Sequence, residues 1–192
     1  MARSKSTTRF KTKIFHPSDD IFYIKPAGKD TNQDVGYGFF TKQPFQKGDM
    51  VLRQSSGIIK KLAELTKFDL CYTTQVASDS FLCNAQPDTT AWQKDNYINH
   101  HCNPNTMVVI KKENQQPHPF LIARRAIATD EEITFDYSTT MKNDPSDDMI
   151  CLCSDKHCRG TIKNFRCLPQ DIKKKYIAEG AVPDFVLTNQ AS

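Results

Sequence analysis

Three cysteines crowd together as Cys151-Leu152-Cys153 and Cys158, with Arg159-Gly160 directly behind them. Thiolates in a Cys-x-Cys-x4-Cys spacing converge readily on one metal ion, but a closed structural zinc site is tetrahedral and needs a fourth ligand. That requirement constrains the chain more than any other feature, because the fold has to carry a fourth donor to this one segment. His157 and Cys167 are the candidates nearest in sequence. The chain has seven cysteines, an odd number, and this together with the tight spacing favours metal ligation in a reducing compartment over a secreted disulfide framework.

Composition places fewer demands. A length of 192 residues with 38% hydrophobic and 10% aromatic content suits one soluble domain with extensions. No run of about eighteen apolar residues is present to cross a membrane, and the basic amino-terminal end lacks the apolar stretch of a secretory signal. The formal charge of +4 is unevenly spread, because Arg3, Lys5, Arg9, Lys11 and Lys13 precede any acid. Setting those five aside leaves 21 basic against 22 acidic residues. The body therefore offers no dedicated nucleic-acid surface, and the arm only weak, salt-sensitive contact with phosphates. The arm itself reads as a solvated tail.

Short apolar or β-branched runs at residues 21–24, 39–41 and 50–52, separated by turn-rich stretches, predict a first half of short strands. Residues 60–67 have helix-compatible composition, while 69–74 and 80–82 read as further strands. Residues 106–111 and 120–125 flank a polar loop over 113–117, the pattern of a hairpin. Residues 141–148 are polar and acidic and read as a linker into the cysteine cluster. Pro169-Gln170-Asp171 lead a helix over 172–179, closed by Gly180 with Pro183 beyond, which places Ile172, Tyr176 and Ile177 on one face.

Three other segments complete the pattern: Gly36-Tyr37-Gly38, then Tyr97-Ile98-Asn99-His100-His101-Cys102-Asn103-Pro104-Asn105, then Asp130-Glu131-Glu132-Ile133-Thr134-Phe135-Asp136-Tyr137. In this order, with the cysteine cluster last, they resemble the G-x-G, N-H-x-C-x-P-N, E-E-[LI]-T-[FY]-D-Y and post-SET motifs of SET-domain protein lysine methyltransferases. The resemblance spans about residues 21–161. It implies a mainly β fold with short helices, made of small curved sheets, in which the second and third motifs thread past each other as a pseudoknot. The implied layout is a flexible basic arm over 1–20, a SET domain over 21–140, a linker over 141–149, a post-SET zinc-binding segment over 150–166, and a carboxy-terminal helix and tail over 167–192.

The same resemblance implies transfer of methyl groups from S-adenosyl-L-methionine to the side-chain amine of a lysine in a protein, in a basic segment of a histone or another basic protein. Gly36, Tyr37, Gly38, Asn99, His100, Tyr137 and Leu152 are implied to hold the cofactor, with the adenine near His100. Tyr137 is the implied catalytic residue, and Phe135 the position that tunes how many methyl groups are added; a phenylalanine there implies more than monomethylation. The resemblance also selects Cys102 as the fourth ligand of one zinc per chain, with Cys151, Cys153 and Cys158. Such a bridge would couple metal binding to closure of the site, which favours Cys102 over His157 and Cys167. Cys71, Cys83 and Cys167 then read as small buried hydrophobes.

The chemistry asks for little acid–base power. A lysine ammonium, with a reference pKa of about 10.4, has to lose a proton before it attacks a sulfonium methyl. An apolar channel and the nearby sulfonium charge both lower that value, which leaves alignment as the main task. Gly36 and Gly38 suit a backbone that approaches a ligand closely.

Several positions depart from the family pattern. Asn96 stands where an arginine is common, His101 replaces the usual serine, and residues 53–57 lack a Glu-Tyr pair. Phe81 lies where many members have a channel tyrosine, leaving Tyr72 as the candidate channel hydroxyl. No cysteine-rich pre-SET region is present, which implies a short, stand-alone enzyme of the microbial or viral kind, acting in cytoplasm or nucleus, including a host nucleus. The alternative reading is a catalytically weak module of the same fold that binds a basic peptide. Asp130, Glu131, Glu132, Asp136, Asp144, Asp147 and Asp148 read either as an acidic rim for a lysine in basic surroundings or as a solvated loop. The arm agrees with the histone tail Ala-Arg-Thr-Lys-Gln-Thr-Ala-Arg at five of eight positions from Ala2 to Arg9, which makes Lys5 a candidate automethylation site, with chance agreement the alternative.

Overall fold

The computed structural model describes residues 14–27, 36–54, 57–66, 69, 73–83, 93–140 and 148–188. Among them twelve short strands follow in chain order: β1 Phe22–Pro26, β2 Tyr37–Thr41, β3 Met50–Arg53, β4 Ile58–Lys60, β5 Thr73–Ala77, β6 Ser80–Cys83, β7 Asn99–His100, β8 Thr106–Glu113, β9 Gln116–Ala123, β10 Thr134–Phe135, β11 Met149–Ile150 and β12 Thr161–Ile162. They form small separate sheets: β1-β2, β3-β9-β8, β4-β6-β5, the parallel pair β7-β10, and β11-β12. The mainly β architecture with few helices is the one the motifs imply.

The hairpin is tighter than its sequence suggests. β8 and β9 pair without a break from Thr106–Ala123 to Glu113–Gln116, so the loop shrinks to Asn114 and Gln115. Both adopt positive φ, 48° and 66°, the twist that a two-residue hairpin requires. Inward-facing residues of this sheet, Val51, Leu52, Val108 and Leu121, share one core with Phe22 and Phe39, whose rings stack 4.8 Å apart. Ile98, Ile133 and Phe135 belong to the same core. The motif segments are thus structural members of the fold, and their side chains sit on a packed base.

Those two segments run side by side. Asn99 pairs with Thr134 and His100 with Phe135 in parallel register, and the His101 N–H continues the contact to the Phe135 carbonyl at 3.1 Å. On its other side the 130–135 stretch meets β2, with the Ile133 N–H on the Phe39 carbonyl and the Asp130 N–H on the Thr41 carbonyl, both at 2.7 Å. Asn105, only 1% exposed, staples the crossing. Its amide donates to the Glu132 carbonyl (2.7 Å) and the Glu131 carboxylate (2.8 Å), while its oxygen accepts the Thr134 N–H (2.9 Å).

The carboxy-terminal part adds helix α1, Gln170–Ala178, and a second short helix α2, Asp184–Thr188, which the sequence pattern does not signal. α1 starts at Pro169, whose carbonyl accepts the Lys173 N–H at 3.0 Å, and stops before Gly180 at φ 68°. Phe165, Leu168, Tyr176, Val182, Phe185 and Val186 form a second core, packed against Met107 and Ile110 of β8. No helix among the described residues is long and apolar enough to cross a membrane.

Several local expectations change. The described residues 60–66 do not make a helix: Lys60 ends β4, and Leu62–Glu64 is a single 3-10 turn without a buried residue. Glu64 and Asp79 capture the N–H groups of Lys61 and Leu62, so side chains close the turn and no apolar face extends it. Of the strand expected at 69–74, Thr73 and Thr74 belong to β5 while 70–72 lie outside the described residues, and the expected linker ends early because Met149 and Ile150 pair with β12. Ile177 is 49% exposed, turned about 100° from the inward Tyr176. Cys83 is buried as expected, but Cys167 is exposed at the end of a turn whose inward residue is Phe165. Residues 1–13 of the arm, Cys71, Tyr72 and the linker residues 141–147 lie outside the described residues, whereas the arm's end is held down, Phe15 packing edge-on against Phe22 and Phe45.

Asn105→Ala leaves a buried N–H and a buried carbonyl without partners. The unfolding free energy, measured by urea denaturation, is expected to drop by about 2–4 kcal/mol. A loss below about 0.5 kcal/mol would mean that other contacts hold the crossing.

Candidate active site

The crossing delivers Phe135, Asp136 and Tyr137 to the end of β10. Asp136 caps the 3-10 turn Tyr137–Thr139, its Oδ1 accepting the Ser138 N–H at 3.0 Å, and this turn presents the Tyr137 ring. The Tyr137 hydroxyl donates to the Ile98 carbonyl at 2.7 Å, while its ring lies 4.9 Å from that of Phe135 and 5.5 Å from that of His100. Burial pushes the Tyr137 phenol up, with the Glu132 charge adding to the effect. The group therefore remains a neutral phenol whose proton is committed to a backbone carbonyl and whose oxygen lone pairs remain to offer.

His100 is held from both sides. Its Nδ1 accepts the Tyr137 N–H at 3.2 Å, so the neutral ring carries its proton on Nε2, 3.4 Å from the Cys102 Sγ. Burial lowers its pKa to about 4 even though the Asp136 carboxylate lies 3.4 Å away. At the outer edge, Asn99 donates to the Tyr37 carbonyl (3.0 Å) and to the Glu132 carboxylate (2.7 Å). The Tyr37 side is open, with that residue 57% exposed and Leu152 37% exposed. Space at Gly36 is free, whereas a Cβ at Gly38 would collide with the Glu132 carboxyl group, whose carbon would lie 2.8 Å away. The protein's own Glu132 and Phe40 side chains thus crowd Gly38, a reason for glycine the sequence does not display. Burial also raises the Glu132 pKa against the opposing Asn99 bond.

Cys102, Cys151, Cys153 and Cys158 bring their sulfur atoms within 4.8 Å of one another. Four thiols at this spacing suit a single metal ion. Burial raises the Cys102 thiol to about 11 and pushes Cys151 up as well, whereas the Gly160 N–H lowers Cys158. The Arg159 N–H also points at the Cys102 Sγ, at 3.4 Å. Neither competing ligand joins the cluster: the His157 side chain is exposed and near Asp155, and Cys167 lies on the surface.

The acidic residues of the motif do not form a rim. Asp136 is 2% exposed and accepts from Arg159 (2.7 Å) and Tyr176 (2.8 Å). Glu131 bonds Asn105 and Arg125, and Glu132 bonds Asn99, so these charges serve internal contacts. Asp130 accepts from the Tyr23 hydroxyl and Asp148 pairs with Lys163, while Asp144 and Asp147 lie outside the described residues. Phe81 is buried in the β4-β6-β5 sheet.

The profile of the SET domain matches residues 36–138, more than half of the chain. The chain belongs to the SET-domain family. Relatives include the histone-lysine N-methyltransferase ATX2 of Arabidopsis thaliana, 25% identical over 67% of this chain, and the H3 lysine-4 specific histone-lysine N-methyltransferase of Cryptococcus neoformans, 28% identical over 65%. The histone-lysine N-methyltransferase ash1 of Drosophila melanogaster is 27% identical over 67%. The matched stretch makes up 12%, 9% and 6% of those proteins, respectively. The crystal structure of KRYPTONITE in complex with mCHG DNA and SAH superimposes with a TM-score of 0.51 at 18% identity, over 66% of this chain and 27% of that one. This likeness shows the SET fold.

The SET motifs lead directly to Asn99, His100, Phe135, Tyr137 and the four thiols. Sequence reasoning assigns no role to Asn105, Arg159 or Tyr176 in the site, and sees Asp136 only as one of a group of charges. An acid between Phe135 and Tyr137 carries one usable signal, since a charge inside an aromatic run is buried with a partner when the run is core.

Cys102→Ser is expected to reduce bound metal from about one ion per chain to under a tenth, measured by plasma mass spectrometry on purified protein. Cys167→Ser should retain it. The reverse result would move the fourth ligand to Cys167.

Proposed function

We propose that this SET-domain chain transfers methyl groups from S-adenosyl-L-methionine to the side-chain amine of a lysine in a protein substrate, with zinc bound by Cys102, Cys151, Cys153 and Cys158. One observation carries the reading: a half-buried Tyr137 phenol, its hydroxyl donating to the Ile98 carbonyl, stands beside Phe135 and His100. A four-thiol cluster adjoins the same histidine.

The residues fit both groups. The Tyr37 carbonyl and Glu132 carboxylate are acceptors suited to the α-ammonium group of the cofactor, and a Cβ at Gly36 would meet nothing within 4 Å. Gly36, Tyr37, Gly38, Asn99, His100 and Leu152 would hold it. Four thiolates are a closed donor set for zinc, and the ion would supply a cross-link between the Cys102 segment and the Cys151–Cys158 segment. When bound, S-adenosyl-L-methionine supplies the electrophilic methyl group.

The protein's own part is orientation. Tyr137 presents lone pairs from a fixed position, and burial favours its neutral form, which suits contact with a lysine amine or a polarised methyl group. Phe135 adds an apolar wall without a hydrogen-bonding group, which disfavours the charged ammonium and leaves room for a methylated amine. The relatives support this substrate class, since they are named as histone-lysine methyltransferases and include an H3 lysine-4 specific one.

Incubation with labelled cofactor and core histones, ribosomal proteins or lysate should place label on lysine. Absence of transfer by zinc-loaded protein that binds the cofactor would favour a peptide-binding module. Tyr137→Phe is expected to lower the turnover number at least about a hundredfold with cofactor affinity nearly unchanged. Phe135→Tyr is expected to shift products towards monomethyl-lysine, read by mass spectrometry.

A further inference from the structure

We propose that Tyr176, in the carboxy-terminal helix α1, is a positioning residue for the catalytic segment, acting through the Asp136 carboxylate on the turn that presents Tyr137. Its kinetic consequence rests on the methyl-transfer reading above; its effect on the turn does not.

Tyr176 lies beyond the matched residues 36–138, yet its hydroxyl reaches Asp136 within them. The residue is 3% exposed and donates to Asp136 Oδ2 at 2.8 Å. The helix is also tied to the body next to it. The Arg124 guanidinium lies over the Tyr176 ring at 4.8 Å, bonds Glu179 near the end of the helix at 2.7 Å, and donates to the Pro104 carbonyl at 3.1 Å. Burial and the Asp136 charge push the Tyr176 phenol up, so the hydroxyl remains a donor across the neutral range.

The carboxylate it grips divides its oxygens between two tasks. Oδ2 takes Tyr176, while Oδ1 takes Arg159 Nη2 (2.7 Å) and the Ser138 N–H (3.0 Å), the bond that caps the Tyr137 turn. A carboxylate rotates as a rigid unit about its Cβ–Cγ bond. Releasing Oδ2 therefore moves Oδ1, and with it the amide next to Tyr137. A phenylalanine would fill the second core as well as this tyrosine does, so the hydroxyl is what the position adds. Placing a buried donor against a buried charge serves order at the site, where small displacements of aligned groups cost rate.

Tyr176→Phe keeps the ring and removes the bond. On recombinant histone H3 the turnover number should fall about tenfold, while the Michaelis constant and the calorimetric affinity for S-adenosyl-L-methionine stay within about twofold. Amide hydrogen exchange at residues 137–139 of the zinc-loaded protein should quicken about tenfold. Glu179→Gln loosens the helix anchor but leaves the hydroxyl in place, so both readouts should stay within about twofold of wild type. Adding Tyr176→Phe to Asp136→Asn should cost no further turnover, because the path runs through that carboxylate. Unchanged turnover and exchange in Tyr176→Phe overturns the proposal, and so does an equal loss in Glu179→Gln, which would mark a purely structural role. If Tyr176→Phe does not fold, 3-fluorotyrosine at position 176 retains ring and hydroxyl but alters donor strength; exchange at 137–139 indistinguishable from wild type then overturns it. Should wild type fail to methylate any protein, the functional reading falls, and the exchange measurement still decides the positioning role.

Discussion

One side-chain amide holds the two halves of the site together. β7 and β10 share only two residue pairs, too few for a ladder to stand on its own. Asn105 supplies the missing rungs, with a donor for the Glu132 carbonyl and an acceptor for the Thr134 N–H. Everything at the site hangs from this crossing. Asn99, His100 and Cys102 extend along one segment, and Phe135, Asp136 and Tyr137 along the other. The His100 ring closes the gap by bonding the Tyr137 backbone.

Electrostatics are organised inward. Asp136 and its partners Arg159 and Tyr176 are largely removed from water, and Arg124 joins them through the Tyr176 ring. Buried charges survive only when paired and hydrogen-bonded, and here each charge meets an oppositely charged or polar group from a different stretch of chain. The arrangement ties the cysteine segment and α1 to the motif that ends at Tyr137. Specificity of arrangement is the gain, since an apolar packing of equal volume would be at least as stable.

Much of this is legible in the sequence, for physical reasons. Short motifs fix residues whose chemistry is local, so the sequence alone names Asn99, His100, Tyr137 and the four cysteines. Hairpin and carboxy-terminal helix are visible in alternation, proline and glycine. The rest depends on partners distant in sequence. Residues 60–67 look helical by composition, but Glu64 and Asp79 cap the backbone into a single turn. Glu131, Glu132 and Asp136 look like surface charge, because an acid's partner cannot be counted from its neighbours. Gly38 reads as a close approach to a ligand, and the Glu132 side chain that crowds it on one side is invisible in the sequence.

The long-range staples also set a timetable. Cys102 meets Cys151 across 49 residues of sequence, and Asp136 waits 40 residues for Tyr176. Closing such loops loses entropy before the contacts compensate, so assembly is slow beside that of a helical bundle of similar length. On the ribosome, Asp136 is synthesised well before either Arg159 or Tyr176 exists to neutralise it. A nascent chain that ends before α1 therefore holds Asp136 with its Tyr176 bond still unmade. Its maturation is gated by the emergence of α1, and until then capture by chaperones competes with aggregation.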